Sequence, residues 1–220
     1  MIICPLCLSK GHILENISGP DKRDYRRCTN CKLIYTSIKY QQSKTQQKKH
    51  ADAHANGIEN SAYVKFLETA IEPALPLLTK EHIGLDFGNG KDTTLSEILA
   101  GKEINCQPFS PLQATELTAS EYDFVFSTEY FEHSFLPAKE LKKIKGILKL
   151  GGYLIVLTAL YKDTAQFKNW YYPKDPTRVS FFHKSSFDFI CRKFGFELVS
   201  SDDTSVVILQ KVTQEVSDVI

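Results

Sequence analysis

Cys4 and Cys7 in CPLC, and Cys28 and Cys31 in CTNC, form two C-x2-C pairs with twenty residues between them. Each pair sets two thiols on one tight turn, and two such turns joined by a hairpin of this length can offer four sulfurs to a tetrahedral zinc. The intervening GHILENISGPDKRDYRRC reads as a strand, a Gly-Pro turn and a second strand. Residues 1–39 carry too little apolar area to fold alone, so metal binding would be what folds them. Four cysteines close the coordination sphere, leaving no position for a substrate or water, so the zinc expected on Cys4, Cys7, Cys28 and Cys31 is structural. Cys106 and Cys191 stand apart and read as buried apolar thiols.

The 220 residues, 42% hydrophobic and 24% charged, suffice for one full core beside this module and exclude a disordered chain. Six cysteines are too few and too clustered for a disulfide scaffold. The longest apolar runs, such as residues 153–160, fall short of the roughly 20 residues a bilayer span needs, and MIICPLC lacks the basic start and apolar run of a signal peptide. A cytoplasmic protein with reduced thiols and no membrane contact is expected. The net charge of +1 hides an asymmetry: residues 1–50 hold 10 basic and 3 acidic side chains, while residues 51–220 hold 17 and 23. The basic head suits either a polyanion-binding arm or a plain solvated face. Arg23, Arg26 and Arg27 with Tyr25 offer a surface for RNA on the first of these views.

Between Tyr40 and Asn60 the chain turns polar and reads as a linker or a surface helix. His50 and His54 would share one helical face there, with no third ligand nearby. The expected organisation is a zinc ribbon over residues 1–39, a linker over 40–60 and a larger domain over 61–220. That domain opens with SAYVKFLETAIEPALPLL, where Tyr63, Val64, Leu67, Ala70 and Ile71 fall at helical spacing behind Ser61 as N-cap. Pro73 and Pro76 should kink or end the helix.

HIGLDFGNGKDTTLSEIL predicts a buried strand over 83–87, a tight turn at Gly88 and Gly90, and a helix through Leu99 capped by Asp92 or Thr93. A strand ending in an acid, then G-x-G and a helix, lets backbone approach a ligand while the helix start offers free N–H groups. Taken alone, G-x-G fits an ordinary βα turn equally well. Farther on come a strand over 122–127, a helix after Pro137, a Gly151-Gly152 turn and a strand over 153–158. In that helix Leu141, Ile144 and Leu148 form one apolar face, with Lys142, Lys143, Lys145 and Lys149 toward water. Repeated β-α-β order implies a doubly wound, parallel α/β sheet. Ligands bind such sheets at the carboxyl ends of the strands, where the Gly88 turn and the Ser127-Thr128-Glu129 loop emerge. Residues 196–200 and 205–210 should close the sheet as an antiparallel pair, and 212–220 should fray.

LDFGNGKD, STEYFEH and ILKLGGYLIVLT, in this order, resemble class I S-adenosylmethionine-dependent methyltransferases, whose matching segments read LDFGCGxG, STEVxEH and LLKPGGxLxxxT. NWYYPKDPTRVSFFHKSSFDFICRKFGFEL is similar to the family's WHYxxDPTHVxFF segment and the helix after it. The likeness spans residues 60–200, and a subgroup carries a similar N-terminal cysteine module. It implies a Rossmann-like methyltransferase sheet and S-adenosylmethionine as cofactor. Asp86, Gly88 and Gly90, with Asn89 between the glycines, would shape the loop around the methionine portion. Ser127, Thr128 and Glu129, with His133, would close over the sulfonium, and Gln107 falls where the family's acid takes the ribose hydroxyls. This chain departs from the pattern at Gln107, which offers one carbonyl acceptor in place of a carboxylate. It also departs at the charged pair Lys91 and Asp92, and at Tyr171 and Arg178, which stand in for two histidines. Only residues 108–122 separate Gln107 from Asp123, so the third-strand unit is reduced.

Methyl transfer from a sulfonium is an in-line displacement of an activated leaving group, so alignment and exclusion of water matter most. For a hydroxyl acceptor His133 is the expected base, since its ordinary pKa of about 6.5 lets it take a proton near neutrality. Asp175 is the second catalytic candidate, or else a turn residue before Pro176. Phe167, Trp170, Tyr171, Tyr172, Phe181 and Phe182 either wall a planar or apolar acceptor or pack the sheet edge. The expected function is methyl transfer to a small or modified acceptor, and an RNA acceptor docked on the basic ribbon is compatible with it. The alternative is a degenerate fold that has lost the cofactor through Lys91, Asp92 and Gln107 and serves as a binding or scaffolding module.

Overall fold

The computed structural model describes residues 3–10, 14–41, 43, 45, 57–88, 92–111 and 121–213. His50 and His54 therefore lie outside the described residues, as do most of the linker and residues 214–220. The cysteine module supplies β1 (Leu14–Ile17), β2 (Tyr25–Cys28) and β3 (Ile34–Thr36). The larger domain follows as α1 (Ser61–Ala74), β4 (Ile83–Phe87), α2 (Thr94–Ala100), β5 (Asn105–Phe109) and β6 (Tyr122–Thr128). It continues through α3 (Pro137–Ile147), β7 (Leu148–Leu157), α4 (Thr164–Asn169), β8 (Ser180–Phe181), α5 (Lys184–Phe194), β9 (Phe196–Ser201) and β10 (Val206–Lys211).

The main sheet has the order β5-β4-β6-β7-β10-β9. The first four strands in that order run parallel, and β10 is antiparallel to both β7 and β9. Strand side chains alternate between faces, and helices cover both faces, which makes the sheet doubly wound. Phe124, Phe126, Ile155, Leu157, Val206 and Ile208 meet α1 and α2 through Leu67, Ile71, Leu95 and Leu99. Val125, Leu154, Val156, Val207 and Leu209 meet the opposite layer through Leu141 and Ile144 of α3 and Phe187 and Ile190 of α5. Strand β5 is the sheet edge among the described residues, in keeping with a reduced third-strand unit. Pro108 sits on it, where a missing N–H costs no ladder bond.

Several local expectations are corrected. Asn60, not Ser61, caps α1: its side chain accepts the N–H of Tyr63 at 3.2 Å. The strand expected from Tyr153 already starts at Leu148, because the chain leaves α3 directly into extended backbone. Lys145 does not face water but is buried, with its ammonium 3.0 Å from where a Cβ on Gly195 would stand. Gly195, at φ +70, ends α5 in the left-handed conformation and leaves room for that ammonium. Cys106 and Cys191 are half-buried rather than buried, one on the edge strand and the other on α5.

The cysteine module is joined to the large domain by backbone. A second sheet has the order β1-β2-β3-β8, so its last strand comes from the far end of the sequence. Leu6, Leu33 and Tyr35 share one apolar cluster with Phe131, Ala138 and Phe182.

Candidate functional site

The four cysteines of the head converge. Cys4 Sγ lies 3.6 Å from Cys31 Sγ and Cys7 Sγ 3.4 Å from Cys28 Sγ, with all four buried and their sulfurs within 4.8 Å of one another. The turns that carry them repeat one geometry: Leu8 N–H donates to Cys4 O, and Lys32 N–H to Cys28 O, each at 2.9 Å. Leu8 and Lys32 both adopt left-handed backbone, at φ 58 and φ 60. A tetrahedron with Zn–S bonds of about 2.3 Å has sulfur–sulfur edges of about 3.8 Å, so the number, kind and spacing of donors fit zinc.

The second site lies at the carboxyl edge of the main sheet. Asp86, next to last in β4, is wholly buried, and Gly88 follows the strand at φ +109. Gly88 N–H donates to Phe109 O at 2.8 Å, tying the ends of β4 and β5 together. A Cβ on Gly88 would stand 2.3 Å from the Tyr130 ring, so only glycine fits beneath that ring. Asn89 and Gly90 lie outside the described residues, as does Lys91. Asp92 turns inward, and its Oδ1 accepts the N–H of Thr94 at 2.9 Å where α2 begins.

Tyr63 of α1 faces this edge. Burial pushes its hydroxyl above the ordinary value, and Asp92, which accepts its hydrogen bond, adds to the shift together with Glu129 and Asp86. The charges of Asp92, Glu129 and Asp86 thus all bear on one hydroxyl at this edge. Ser127 and Thr128, buried at the end of β6, and Ser110, buried just after β5, each keep a hydroxyl with no hydrogen-bond partner among the described residues. Buried hydroxyls left this way suit a polar ligand. Glu129 adopts left-handed backbone at φ 48, its N–H donates to Leu157 O at 2.8 Å, and its carboxylate lies 3.3 Å from Arg178. Gln107 stands opposite Leu85 on the edge strand and is exposed.

Beyond Glu129 a short turn, Phe131–His133, opens the neighbouring region. Burial, then the positive charge of Arg178, pushes His133 below its ordinary pKa; Asp175, a backbone hydrogen bond at Thr177 and Glu129 act in the opposite sense without overcoming this. The imidazole is therefore neutral at pH 7. Burial alone would raise Asp175, but hydrogen bonds from Thr177 and the charge of Arg178 outweigh it and hold the carboxyl low. Asp175 Oδ1 accepts from the Thr177 N–H at 2.9 Å and from its hydroxyl at 2.6 Å. The two expected catalytic residues, His133 and Asp175, thus share one electrostatic neighbourhood, with Arg178 between Asp175 and Glu129.

Glu132 is wholly buried, accepts from the Tyr172 hydroxyl, and takes the Thr158 hydroxyl at 3.0 Å. Burial raises its carboxyl above the ordinary range despite those bonds. The Arg178 guanidinium lies 3.8 Å from the centroid of the Tyr172 ring. Glu132 was visible in the sequence only as the neighbour of His133, and Tyr63 only as one apolar position of a helix. The aromatic run divides. Phe167 and Phe181 pack the cysteine module through Tyr25, with ring centroids 5.2 and 6.0 Å away, so these two are interior packing and not an acceptor wall. Phe182 lies buried against Phe131. Tyr171 is 71% exposed and alone among the six stands open to solvent to that degree. Of the arginines expected to face RNA, Arg27 lies 3.5 Å from Glu15, and Arg23 points into the loop after Tyr172.

A family model described as a methyltransferase domain matches residues 59–201. Among solved structures, the chain aligns with one chain of the complex between the Haloferax volcanii Trm112 methyltransferase activator and a methyltransferase, at 16% identity and TM-score 0.52, over 74% of this chain and 98% of that one. A methyltransferase structure from Bacillus halodurans aligns at 15% identity and TM-score 0.48, over 67% and 99% of the two chains. An S-adenosylmethionine-dependent methyltransferase from Thermotoga maritima aligns at 18% identity and TM-score 0.45, over 68% and 91%. No curated protein matches the chain. Among the described residues no helix is long and apolar enough to cross a membrane.

Proposed function

The chain belongs to the methyltransferase-domain family, and from that premise we propose that it transfers a methyl group from S-adenosylmethionine to a small or modified acceptor. The observation that carries this is the buried Asp86 near the carboxyl end of β4, together with the buried, unmatched hydroxyls of Ser110, Ser127 and Thr128 at the ends of the neighbouring strands. A cation with many polar groups complements such a surface. S-adenosylmethionine supplies a methyl group on a sulfonium whose leaving sulfur is already activated.

What remains for this chain is to hold and align the reactants and to keep water out. Asp86 and Gly88 would shape the cofactor loop, and Ser127, Thr128 and Glu129 would line its inner wall. His133 is held neutral and is suited to take the proton that a hydroxyl or amine acceptor sheds. Asp175, held as a carboxylate, orients that neighbourhood through Thr177 and Arg178. Zinc on Cys4, Cys7, Cys28 and Cys31 would be structural, since four thiolates fill a tetrahedron.

Calorimetric titration of the zinc-loaded protein with S-adenosylmethionine and with S-adenosylhomocysteine tests this. Micromolar binding supports it, and the absence of heat at millimolar ligand from folded protein would overturn it. The latter outcome fits a second reading, a fold kept as a binding or scaffolding module, which is favoured by the exposed, uncharged Gln107. Gln107→Asp should strengthen cofactor binding by about 1–3 kcal/mol in a live site, the scale of a charge-assisted hydrogen bond, and change nothing in a dead one.

A further inference from the structure

One side chain of the cysteine module reaches across to the neighbourhood of His133. Arg23 lies between β1 and β2, with Nε 2.9 Å from Asp21 Oδ2 and its side chain only 9% exposed. Its Nη1 donates to Arg178 O at 2.7 Å and to Pro176 O at 3.4 Å, and its Nη2 to Pro173 O and to Asp175 O, the latter at 3.4 Å. Four carbonyls of one short loop thus turn toward a single guanidinium from a distant part of the chain. The same loop carries the side chains of Asp175 and Arg178. Where it leaves, Val179 N–H donates to Glu132 O at 2.7 Å, next to His133.

A loop whose carbonyls point inward has no ladder to satisfy them, and it keeps that shape only while a donor of matching geometry is present. A planar guanidinium spreads its donors over several acceptors, which a single ammonium cannot do. We propose that Arg23 is a positioning residue: it fixes the 173–178 loop and thereby sets Asp175 and Arg178 beside His133, which makes the metal module one wall of the acceptor side. Describing that wall as the acceptor side rests on the methyl-transfer reading; the clamp itself does not.

The test uses the full zinc-loaded chain and its one tryptophan. Trp170 stacks on Tyr172 with ring centroids 4.8 Å apart, just ahead of the loop, so its emission reports loop placement. In Arg23→Ala the amides of Lys174 and Arg178, bonded within the loop to Tyr171 O and Asp175 O, should exchange with solvent about tenfold faster or more. Trp170 emission should shift, and millimolar methylguanidine should restore both signals, which a general loss of packing would not permit. Affinity for S-adenosylhomocysteine should change far less than loop exchange, because Arg23 reaches the carboxyl edge only through the ion pair of Arg178 with Glu129. Arg23→Lys should fall between the two, and it carries the test if the alanine variant does not fold. Wild-type exchange and emission in a folded Arg23→Ala or Arg23→Lys protein would overturn the proposal. If the wild-type chain binds no S-adenosylhomocysteine while the clamp signals behave as stated, the methyl-transfer reading falls and the clamp stands.

Discussion

Ile34 of β3 and Phe181 of β8 are register partners in one antiparallel ladder, and Tyr35 pairs with Ser180 beside them. The cysteine module therefore ends in a strand that belongs to the large domain. Head and body share backbone hydrogen bonds as well as apolar contacts.

Metal removal is accordingly expected to weaken the whole chain and not its head alone. Leu6 and Leu33 belong to the same buried apolar cluster as Phe131 and Phe182, so the head has no separate core to fall back on. Chelation, or Cys28→Ser, should lower the unfolding free energy by more than about 4 kcal/mol, the range reached when a structural metal is lost. Circular dichroism and Trp170 emission, followed together during thermal unfolding, should show one shared transition at lower temperature. A head that melts while Trp170 keeps its native emission would contradict this.

His133 is held below its ordinary pKa first by burial and then by Arg178. For a hydroxyl acceptor, kcat/KM should rise with pH through an inflection below about 6.5 and stay flat across neutrality. His133→Asn should cut kcat/KM by about 100-fold while leaving affinity for S-adenosylhomocysteine unchanged. The same shift enters stability. Between the lowered folded value and the ordinary one the unfolded chain binds more protons, so stability grows as pH rises through that window. The asparagine variant should lose that slope in urea titrations at graded pH.

Glu132 presents the opposite sign. Its carboxyl is raised by burial, so above the ordinary carboxylate range the folded state holds a proton that the unfolded chain has released. Stability should therefore fall as pH rises from the ordinary value toward the raised one. Glu132→Gln should remove this decline and cost little at acid pH, whereas Tyr172→Phe should cost about 1–2 kcal/mol by leaving the carboxyl short of a donor. Denaturant midpoints measured across that pH range decide both.

Gly88 tolerates no side chain. Its φ of +109 disfavours other residues, and a Cβ would meet the Tyr130 ring. Gly88→Ala should destabilise the chain by about 2–4 kcal/mol in urea unfolding. Adding Tyr130→Ala should recover only part of the loss, because the backbone conformation still opposes alanine.

Much of the main sheet was legible because its signals are local. The run Ile83–Phe87, residues 94–99, and the apolar face of Leu141 and Ile144 announce strand and helix from adjacent residues. The cysteine pairs were legible through spacing, which sulfur geometry constrains tightly. What stayed hidden depends on partners distant in sequence. Nothing near Ile34 points to Phe181, nothing near Arg23 points to the carbonyls of Pro173 and Arg178, and Lys145 reads as solvated until Gly195 is placed beside it. Tyr63 looked like one more apolar helix position because periodicity reports which face is buried and not what its hydroxyl meets. Phe167 and Phe181 were open to two assignments for the same reason, since an aromatic ring packs equally well on substrate or on a neighbouring hairpin.

The pairing of β3 with β8 also orders events in time. A ribosome releases Cys4 to Cys31 early, yet the strand that completes their sheet is made only when Ser180 and Phe181 leave the tunnel. Until then the nascent hairpin keeps one bare edge, the kind of surface that recruits other chains. Early delivery of metal would fasten the knuckles without covering that edge. Synthesis of this chain should therefore be most vulnerable to aggregation in the interval between loading of the cysteines and emergence of β8.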